Sequence, residues 1–281
     1  MIIKMAPGRS PKTETTCMPT AENTTEDDTE WFKAAFNDEY RLVYAGRTED
    51  QAAREVECVV RELTISPSDR VLDLCCGHGR HLRALRKLGV GSFGVDLSLS
   101  LLKSLLLQRA DEHGAQSDAD HPRIVRADMR SLPFAPAFDV VVNFFTSFGY
   151  FESESEHRQT LRQIAAALKP GGRFSVDLMN PQAAISTLQP LTERTVDRLE
   201  IVERRRYDAQ RRRIEKQVTL KHPDWREAKA YTESVRVFWR DEVEPLIESA
   251  GLRLEKVLGD FDGRLLTEDA PRMILLGKKP L

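Results

Sequence analysis

The chain has 281 residues with a formal net charge of −2, and 41% of them are hydrophobic. This length and apolar content suit one large domain, or one domain with a substantial insertion. The near-neutral charge excludes a global field that would select nucleic acid or a membrane surface as partner. No run approaches the roughly 18 apolar residues that span a bilayer, and residues 1–5 are too short for the apolar region of a signal peptide. The four cysteines suggest no disulfide framework, so we expect a soluble, cytoplasmic protein.

The chain divides into a polar tail, a main domain and an insertion. Residues 1–28 are rich in Thr, Glu, Pro and Asp and nearly lack large apolar groups, so we expect a disordered tail. The main domain is expected over 29–191 and 239–281. Residues 192–238 alternate loosely between apolar and polar side chains, which is typical of strands with one wet face. An antiparallel β insertion is therefore predicted there.

Apolar residues recur at helical spacing from the start of the main domain. Between Trp31 and Tyr44 this spacing predicts a first helix. Gly171 and Gly172 are expected to terminate a later helix over 154–168. The remaining predicted helices cover 49–63, 81–88, 98–109 and 241–250.

Short apolar segments alternate with these helices. They predict strands over 70–74, 92–96, 123–126, 138–143, 173–178, 252–258 and 272–277. Strands that are apolar on both faces and alternate with helices indicate a parallel sheet covered on both sides. The predicted fold class is therefore α/β: a doubly wound, mainly parallel, seven-stranded sheet with a terminal antiparallel hairpin and the antiparallel β insertion. Ligands in such sheets bind beyond the carboxyl ends of the strands.

Small and acidic residues gather where the first two strands end. The first strand leads through Asp73 into a turn with small residues at Cys75, Gly77 and Gly79. Such a turn lets a ligand approach the backbone closely. The second strand ends at Asp96, where an acid can accept hydrogen bonds from both ribose hydroxyls of a nucleoside. The pattern therefore favours a nucleoside-containing ligand.

The next two strands end in Asp128 and Asn143. A carboxylate at Asp128 can receive an adenine amino group. A dinucleotide site is less favoured, because Leu82 stands where the third glycine of G-x-G-x-x-G belongs. Two structural alternatives stay open: a helix cap for Asp96 and a turn role for Asp128.

Taken together, these segments resemble the class I S-adenosylmethionine-dependent methyltransferases. The resemblance rests on four motifs in a fixed order: VLDLCCGHG at 71–79, GVD at 94–96, ADM at 127–129 and LKPGG at 168–172. It covers about 31–180 well and 241–281 loosely. Cys75 stands where the family's loop usually has its first glycine.

The resemblance implies that S-adenosylmethionine is the cofactor and that methyl transfer is the reaction. It implies that Gly77 and Gly79 lie against the methionine part, with Asp73 orienting the loop and the methionine ammonium through water or backbone. It also implies that Asp96 holds the ribose and that Asp128 flanks the adenine. The implied cofactor-binding residues are Asp73, Cys75, Gly77, Gly79, Asp96, Leu97, Asp128, Met129, Asn143, Tyr44 and Arg47.

Two further features concern the cover of the cofactor and the acceptor. Similar enzymes close an N-terminal helix over the cofactor, with a Tyr or Arg near its carboxylate; Tyr44 and Arg47 suit this role, and packing is the alternative. Residues 143–151 resemble a segment of sugar-amine N-methyltransferases in which a histidine is thought to act on the amine. This chain has Tyr150 there, which is the candidate catalytic residue, with a buried core tyrosine as the alternative. Gly149 before it is expected to permit an unusual backbone turn.

Other reactive side chains have plainer interpretations. His78 and His81 flank the loop, and we expect solvated histidines at a helix start, with no metal site. Cys75 and Cys76 are expected to be small packing residues, since no base is placed near them by spacing.

Three functions remain from the sequence. A small-molecule N- or O-methyltransferase, with the insertion roofing the acceptor pocket, is favoured. An RNA or protein methyltransferase would use the arginine-rich hairpin at 204–213, for which a solvated surface is the favoured interpretation. The segment at 143–145 lacks the Asn-Pro-Pro-aromatic motif of nucleic-acid amino methylases. A non-catalytic S-adenosylmethionine-binding protein is the third, and the oligomeric state stays open.

Overall fold

The fold is described from a computed structural model of the chain. The structure describes residues 30–112 and 123–281, and the expected tail at 1–28 lies outside the described residues. In chain order the helices are α1 Phe32–Ala35, α2 Asp38–Val43, α3 Glu49–Glu62, α4 Arg80–Lys87, α5 Leu99–Glu112, α6 Glu154–Ala167, α7 Pro181–Ser186 and α8 Arg240–Ser249. The described helices include none with both the length and the apolar content that crossing a membrane requires.

One large sheet forms the centre of the molecule. Its strands are β1 Arg70–Leu74, β2 Gly91–Asp96, β3 Arg123–Arg126, β4 Phe138–Asn143, β5 Leu168–Met179, β10 Arg253–Leu258 and β11 Arg272–Lys278. Their order is β10-β11-β5-β4-β1-β2-β3, and β11 alone runs antiparallel to its neighbours. The order reverses direction beside β1, which leaves a crevice at the carboxyl ends of β1 and β4. The predicted doubly wound, seven-stranded sheet with a terminal hairpin is confirmed.

The insertion forms a second, antiparallel sheet. Its strands are β6 Leu191–Val196, β7 Leu199–Asp208, β8 Arg213–Lys221 and β9 Lys229–Arg236, paired in chain order. One face of β7 and β8 is apolar and buried, and Val43 of α2 packs into it. The alternation that predicted one wet face is explained by this arrangement, since successive side chains of a strand point to opposite faces.

Two predicted helix boundaries are wrong. The first helix is split into α1 and α2, because Asn37 is extended (φ −112°, ψ −165°) and its side chain accepts a hydrogen bond from the Tyr40 amide, capping a new helix. The later helix ends at Ala167, before the two glycines, and Leu168 is already extended (φ −74°, ψ 137°). Pro170 disfavours helical geometry just before itself, so the chain turns directly into β5.

Residues 30–47, here called the bridging segment, lie between the two sheets. The Trp31 indole donates to the Ser234 carbonyl of β9 at 3.0 Å. On the other side, the Ser98 hydroxyl donates to the Phe36 carbonyl at 2.5 Å, and Arg41 donates to the Ser104 hydroxyl of α5 at 2.6 Å. The segment therefore covers the carboxyl ends of β1 and β2 while it is held by both sheets.

Candidate functional site

A cavity of about 1830 Å³ opens at the carboxyl ends of β1 to β4, beneath the bridging segment. It brings together most of the residues predicted from the sequence: Tyr44, Arg47, Cys75, Gly77, Asp96, Leu97, Asp128, Met129 and Tyr150. Asp73, Gly79 and Asn143 do not line the cavity wall. The motifs thus converge on one site, with three of their residues in supporting positions.

The turn after β1 owes its shape to left-handed backbone. Cys75 has φ +65° and Gly77 has φ +55°. A non-glycine residue in this region is strained, which explains physically why a glycine is usual where this chain has Cys75. Burial raises the pKa of the Cys75 thiol well above its usual value, so it is held as a thiol. That agrees with a packing role rather than a nucleophilic one.

Asp96 fixes the turn from the end of β2. One carboxylate oxygen accepts from the Gly77 amide at 2.8 Å and the other from the Ser98 amide at 2.8 Å. Burial raises the pKa of Asp96, and these backbone hydrogen bonds oppose the rise. Each carboxylate oxygen has capacity for a further donor, so the acid can still receive hydroxyl groups from the cavity. The helix cap itself is Ser98, whose hydroxyl accepts from the Leu101 amide at 3.2 Å.

Asp73 and Asn143 lie behind the wall with unsatisfied acceptors. Asp73 is 1% exposed, and one of its carboxylate oxygens has no hydrogen-bond partner among the described residues. Burial, together with the charge of Asp96, raises the pKa of Asp73 to about 8. Asn143 donates to the Leu74 carbonyl at 2.7 Å, while its own carbonyl oxygen has no partner in the described chain. Buried acceptors without donors fit a ligand that brings a donor, directly or through water.

Asp128 is already engaged by a cation. Arg130 donates to it at 2.6 Å and also contacts Glu30 and Glu156 at 2.9 and 2.6 Å. The Arg130 guanidinium lowers the pKa of Asp128 against the opposing effect of burial. Asp128 Oδ1 also accepts from the Arg130 amide at 2.8 Å, which is the turn geometry kept open as an alternative.

Tyr44 and Arg47 form a compact polar group under α2. The Arg47 guanidinium lies 4.1 Å from the Tyr44 ring centroid and 4.2 Å from that of Phe145, and it donates to the Tyr40 hydroxyl at 3.1 Å. The Tyr44 hydroxyl donates to the Glu233 carboxylate of β9 at 2.8 Å. The group thus connects the cavity to the second sheet.

Tyr150 lies in a 3₁₀ turn, Ser147–Tyr150, and lines the cavity half-buried. Its ring stacks on Phe36 at 5.4 Å and meets Trp31 edge-on at 5.0 Å, so its neighbours come from the bridging segment. Burial raises the pKa of Tyr150 well above its usual value, which keeps the hydroxyl protonated.

The expected role of Gly149 is wrong. The unusual torsions lie at Phe145 and Thr146, with φ +59° and +60°. Gly149 is needed instead for close approach, because a Cβ there would lie 2.7 Å from the Arg236 carbonyl oxygen of β9.

Comparisons with known proteins agree with this geometry. Residues 71–172 match a family described as a methyltransferase domain. This stretch contains the turn after β1 and the cavity residues Asp96 and Asp128, so the matched family and the cavity coincide.

Two curated relatives of this chain act on nucleotide-linked amino sugars. One is the dTDP-3-amino-3,4,6-trideoxy-alpha-D-glucopyranose N,N-dimethyltransferase of Streptomyces venezuelae, 31% identical over 50% of this chain. The chain spans only about half of that relative, 55% of its length. The other is the dTDP-3-amino-3,6-dideoxy-alpha-D-glucopyranose N,N-dimethyltransferase of Streptomyces fradiae, 28% identical over 83% of this chain and 89% of the relative.

A solved structure shares the fold. The CcbJ methyltransferase of Streptomyces caelestis superposes with a TM-score of 0.73 at 19% identity, covering 88% of this chain and 98% of that one. At this identity the likeness concerns the fold alone.

The two histidines beside the turn differ from expectation. His81 is not solvated: it is 5% exposed, contacts the Glu55 carboxylate at 2.8 Å and stacks on Phe144 at 4.0 Å. Burial lowers the pKa of His78 to about 4, helped by the charges of neighbouring arginines. Within the described ranges, no group of three or more His, Cys, Asp or Glu residues is placed to hold a metal.

The arginine-rich hairpin is largely neutralised. Arg206 and Arg211 pair with Glu215 at 2.5 and 2.8 Å, and Arg212 pairs with Glu242. Arg213 is not on a solvated face at all: it is 1% exposed. Its guanidinium donates to the carbonyls of Tyr150, Phe151 and Ser234. The sequence expectation is therefore wrong for Arg213.

Arg80 is a cavity residue that sequence reasoning missed. It is 6% exposed, its guanidinium lies 5.0 Å from the Phe145 ring centroid, and it donates to the Thr48 carbonyl at 3.1 Å. Its position in the sequence, at the start of α4, did not indicate a place in the cavity. The groups it contacts are distant in sequence: Thr48 precedes α3, and Phe145 lies in the loop after β4.

Proposed function

We propose that this chain is a cytoplasmic enzyme that transfers a methyl group from S-adenosylmethionine to a nitrogen of a small molecule. The cavity at the carboxyl ends of β1 to β4 carries the proposal, because residues of three of the four motifs, those at 71–79, 94–96 and 127–129, meet on its wall. Its volume of about 1830 Å³ exceeds the roughly 300–1,000 Å³ of a single-ligand site, which leaves room for an acceptor beside the cofactor. The two curated relatives methylate amines on small molecules, which favours nitrogen over oxygen.

The residues present fit the cofactor. The left-handed turn at Cys75 and Gly77 would lie along its methionine part, and Asp96 would accept from its ribose hydroxyls. The segment at 128–129 would flank the adenine, and Arg47 would stand near the carboxylate. When bound, S-adenosylmethionine supplies an electrophilic methyl group on a sulfonium centre.

The chain's own contribution to the reaction is alignment and exclusion of water. The bridging segment covers the cavity, and the aromatic rings of Phe36, Phe145 and Tyr150 line it. The faces of such rings favour a cationic group by about 0.5–2 kcal/mol. We assign to Tyr150 the role of holding the acceptor amine through its protonated hydroxyl. It is not the base, because burial raises its pKa.

Calorimetry tests the cofactor assignment without an acceptor. We expect S-adenosylhomocysteine to bind the wild-type protein and NAD to give no heat. Asp96→Ala should weaken S-adenosylhomocysteine binding by about 2–3 kcal/mol, the value of lost charge-assisted hydrogen bonds. Binding of NAD alone would overturn the proposal.

Transfer of a radiolabelled methyl group tests the reaction. The panel contains nucleotide-linked amino sugars, matched sugars with hydroxyl in place of the amine, and RNA. We expect labelling of amines only, and Tyr150→Phe should lower turnover while S-adenosylhomocysteine binding and melting temperature hold. Labelling of RNA, with binding that falls steeply with salt, would favour the basic hairpin instead; the paired arginines of that hairpin argue against this result.

A further inference from the structure

Two guanidiniums meet at one aromatic ring inside the cavity. Arg47 and Arg80 lie 4.2 and 5.0 Å from the Phe145 ring centroid. Arg80 is buried and Arg47 is half-buried. Burial, together with the positive charge of Arg47, lowers the pKa of Arg80 against the opposing charge of Glu55. Like charges placed this close in a shielded site repel each other, so the pair calls for a counter-charge.

Among the described residues, no carboxylate supplies that counter-charge by direct contact. Neither Arg47 nor Arg80 has a described carboxylate within 4.0 Å; their hydrogen bonds go to the Tyr40 hydroxyl and the Thr48 carbonyl. The acids that act on the pair from a distance have contacts of their own: Glu55 lies against His81 and Glu233 against Lys216. Glu49 pairs with Arg83 at 2.6 Å, and Asp96 accepts from backbone amides.

The cavity as a whole is also cationic. Among the described residues that line it, seven are Lys or Arg and three are Asp or Glu. S-adenosylmethionine adds a sulfonium and an ammonium against one carboxylate, so the loaded cavity gains no negative charge. If the cofactor carboxylate stands by Arg47, Arg80 is still unpaired.

We propose that Arg80, beside Arg47 at the Phe145 ring, forms an anion-binding subsite that receives a phosphate or carboxylate group of the methyl acceptor. The acceptor is then a small amine that carries an anionic group, placed on the bridging-segment side of the cavity. Guanidinium forks suit such groups, because they donate two parallel hydrogen bonds to phosphate or carboxylate oxygens. This inference rests on the proposed function.

The test uses full-length protein saturated with S-adenosylhomocysteine and inorganic pyrophosphate as the probe, measured by calorimetry. We expect pyrophosphate to bind the loaded wild-type protein, and Arg80→Gln to weaken it at least about tenfold, the effect of roughly 1.4 kcal/mol. Arg80→Lys keeps the charge and should bind pyrophosphate with intermediate affinity. Lys87→Gln is the matched control, since Lys87 lies at the other end of α4, lines the cavity and is exposed.

Two results would overturn the subsite. The first is absence of pyrophosphate binding to loaded wild-type protein, or equal binding by Arg80→Gln. The second result would assign Arg80 to the carboxylate of the cofactor. In that case Arg80→Gln weakens the binding of S-adenosylhomocysteine but not the binding of 5′-methylthioadenosine, which lacks the amino-acid part. Failure of S-adenosylhomocysteine to bind wild-type protein would instead contradict the proposed function itself.

Discussion

Asp73 shows at the residue scale how the end of a buried strand holds a carboxylate away from water. Its side chain is buried, one oxygen lacks a partner in the described chain, and the charge of Asp96 opposes its ionisation. Burial of an unpaired carboxylate favours the protonated form, which explains the pKa of about 8. A neutral Asp73 at neutral pH is therefore a property of the ligand-free protein.

This property predicts a pH-dependent stability difference. Because the pKa of Asp73 is raised in the folded state, protonation of Asp73 contributes to the stability of the folded protein. The contribution is complete below the unfolded pKa of about 3.9, and it is lost as the pH rises to the folded pKa of about 8. Between pH 5 and 8 the unfolding free energy of the wild type should fall relative to Asp73→Asn, and above pH 8 the gap should stay constant. Urea titrations at pH 5 to 9 measure it.

The matched control is Asp139→Asn. Lys169 and the Arg70 amide hold the pKa of Asp139 below its usual value, so its gap to wild type should not change between pH 5 and 9. A gap for Asp73→Asn that is equally flat would show that Asp73 is ionised in the folded protein throughout.

Single residues were predictable where a local pattern defined them. Asp96 follows a strand end, and that position alone led to its place on the cavity wall. The burial of His81 and Arg213 could not be predicted, because the groups that satisfy them are distant in sequence: Glu55 lies 26 residues from His81, and Phe151 lies 62 from Arg213. Charged residue types are mostly exposed, so sequence reasoning favours the surface.

Among the elements, the strands were more predictable than the ends of helices. Short apolar runs bounded by turns identified all seven strands of the large sheet. The split between α1 and α2 was missed although Asn37 is a typical cap, because apolar spacing continues across it. The helix before β5 was predicted one residue too long. The prediction placed its end by Gly171 and Gly172, whereas Pro170 already disfavours helical geometry before them.

The 3₁₀ turn that carries Tyr150 gives a prediction at this scale. Gly149→Ala would place a Cβ 2.7 Å from the Arg236 carbonyl oxygen and 2.8 Å from a Val235 methyl group, and backbone cannot yield cheaply. We expect destabilisation by about 1–3 kcal/mol. Chemical denaturation measures the loss.

Gly46→Ala is the control for this change, because nothing lies within 4 Å of a Cβ at Gly46. Its unfolding free energy should stay within about 0.5 kcal/mol of wild type, as for ordinary surface substitutions. Equal values for the two variants would mean that the turn can move away from β9 freely.

At the scale of the whole molecule, the association of the two sheets is what the sequence could not reveal. Alternation predicted the second sheet but carries no information about which face meets which partner. The structure shows that Arg213 on β8 joins them, by donating to the carbonyls of Tyr150 and Phe151 in the loop after β4. The buried guanidinium depends on these carbonyls and on the Ser234 hydroxyl, with the Glu152 carboxylate 3.6 Å away.

Arg213→Gln should therefore destabilise the whole protein. Loss of this side chain leaves several buried carbonyls without a donor, at about 1–3 kcal/mol each. The neighbouring Arg212→Gln removes only an exposed pair with Glu242 and should cost at most about 1 kcal/mol. Urea denaturation compares the two; similar losses would contradict the assignment of Arg213 as the joint between the sheets.

The same joint restricts how the sequence of this chain can diversify. Arg213 donates to the Tyr150 carbonyl, and Gly149 lies against Arg236 of β9. The loop at 144–151 and the second sheet are therefore expected to change together. A chimera that exchanges the second sheet with that of a relative must carry residues 144–151 along with it. Substitutions that alter acceptor choice are then expected to arise in correlated pairs across this contact, while the cofactor turn beneath stays unchanged.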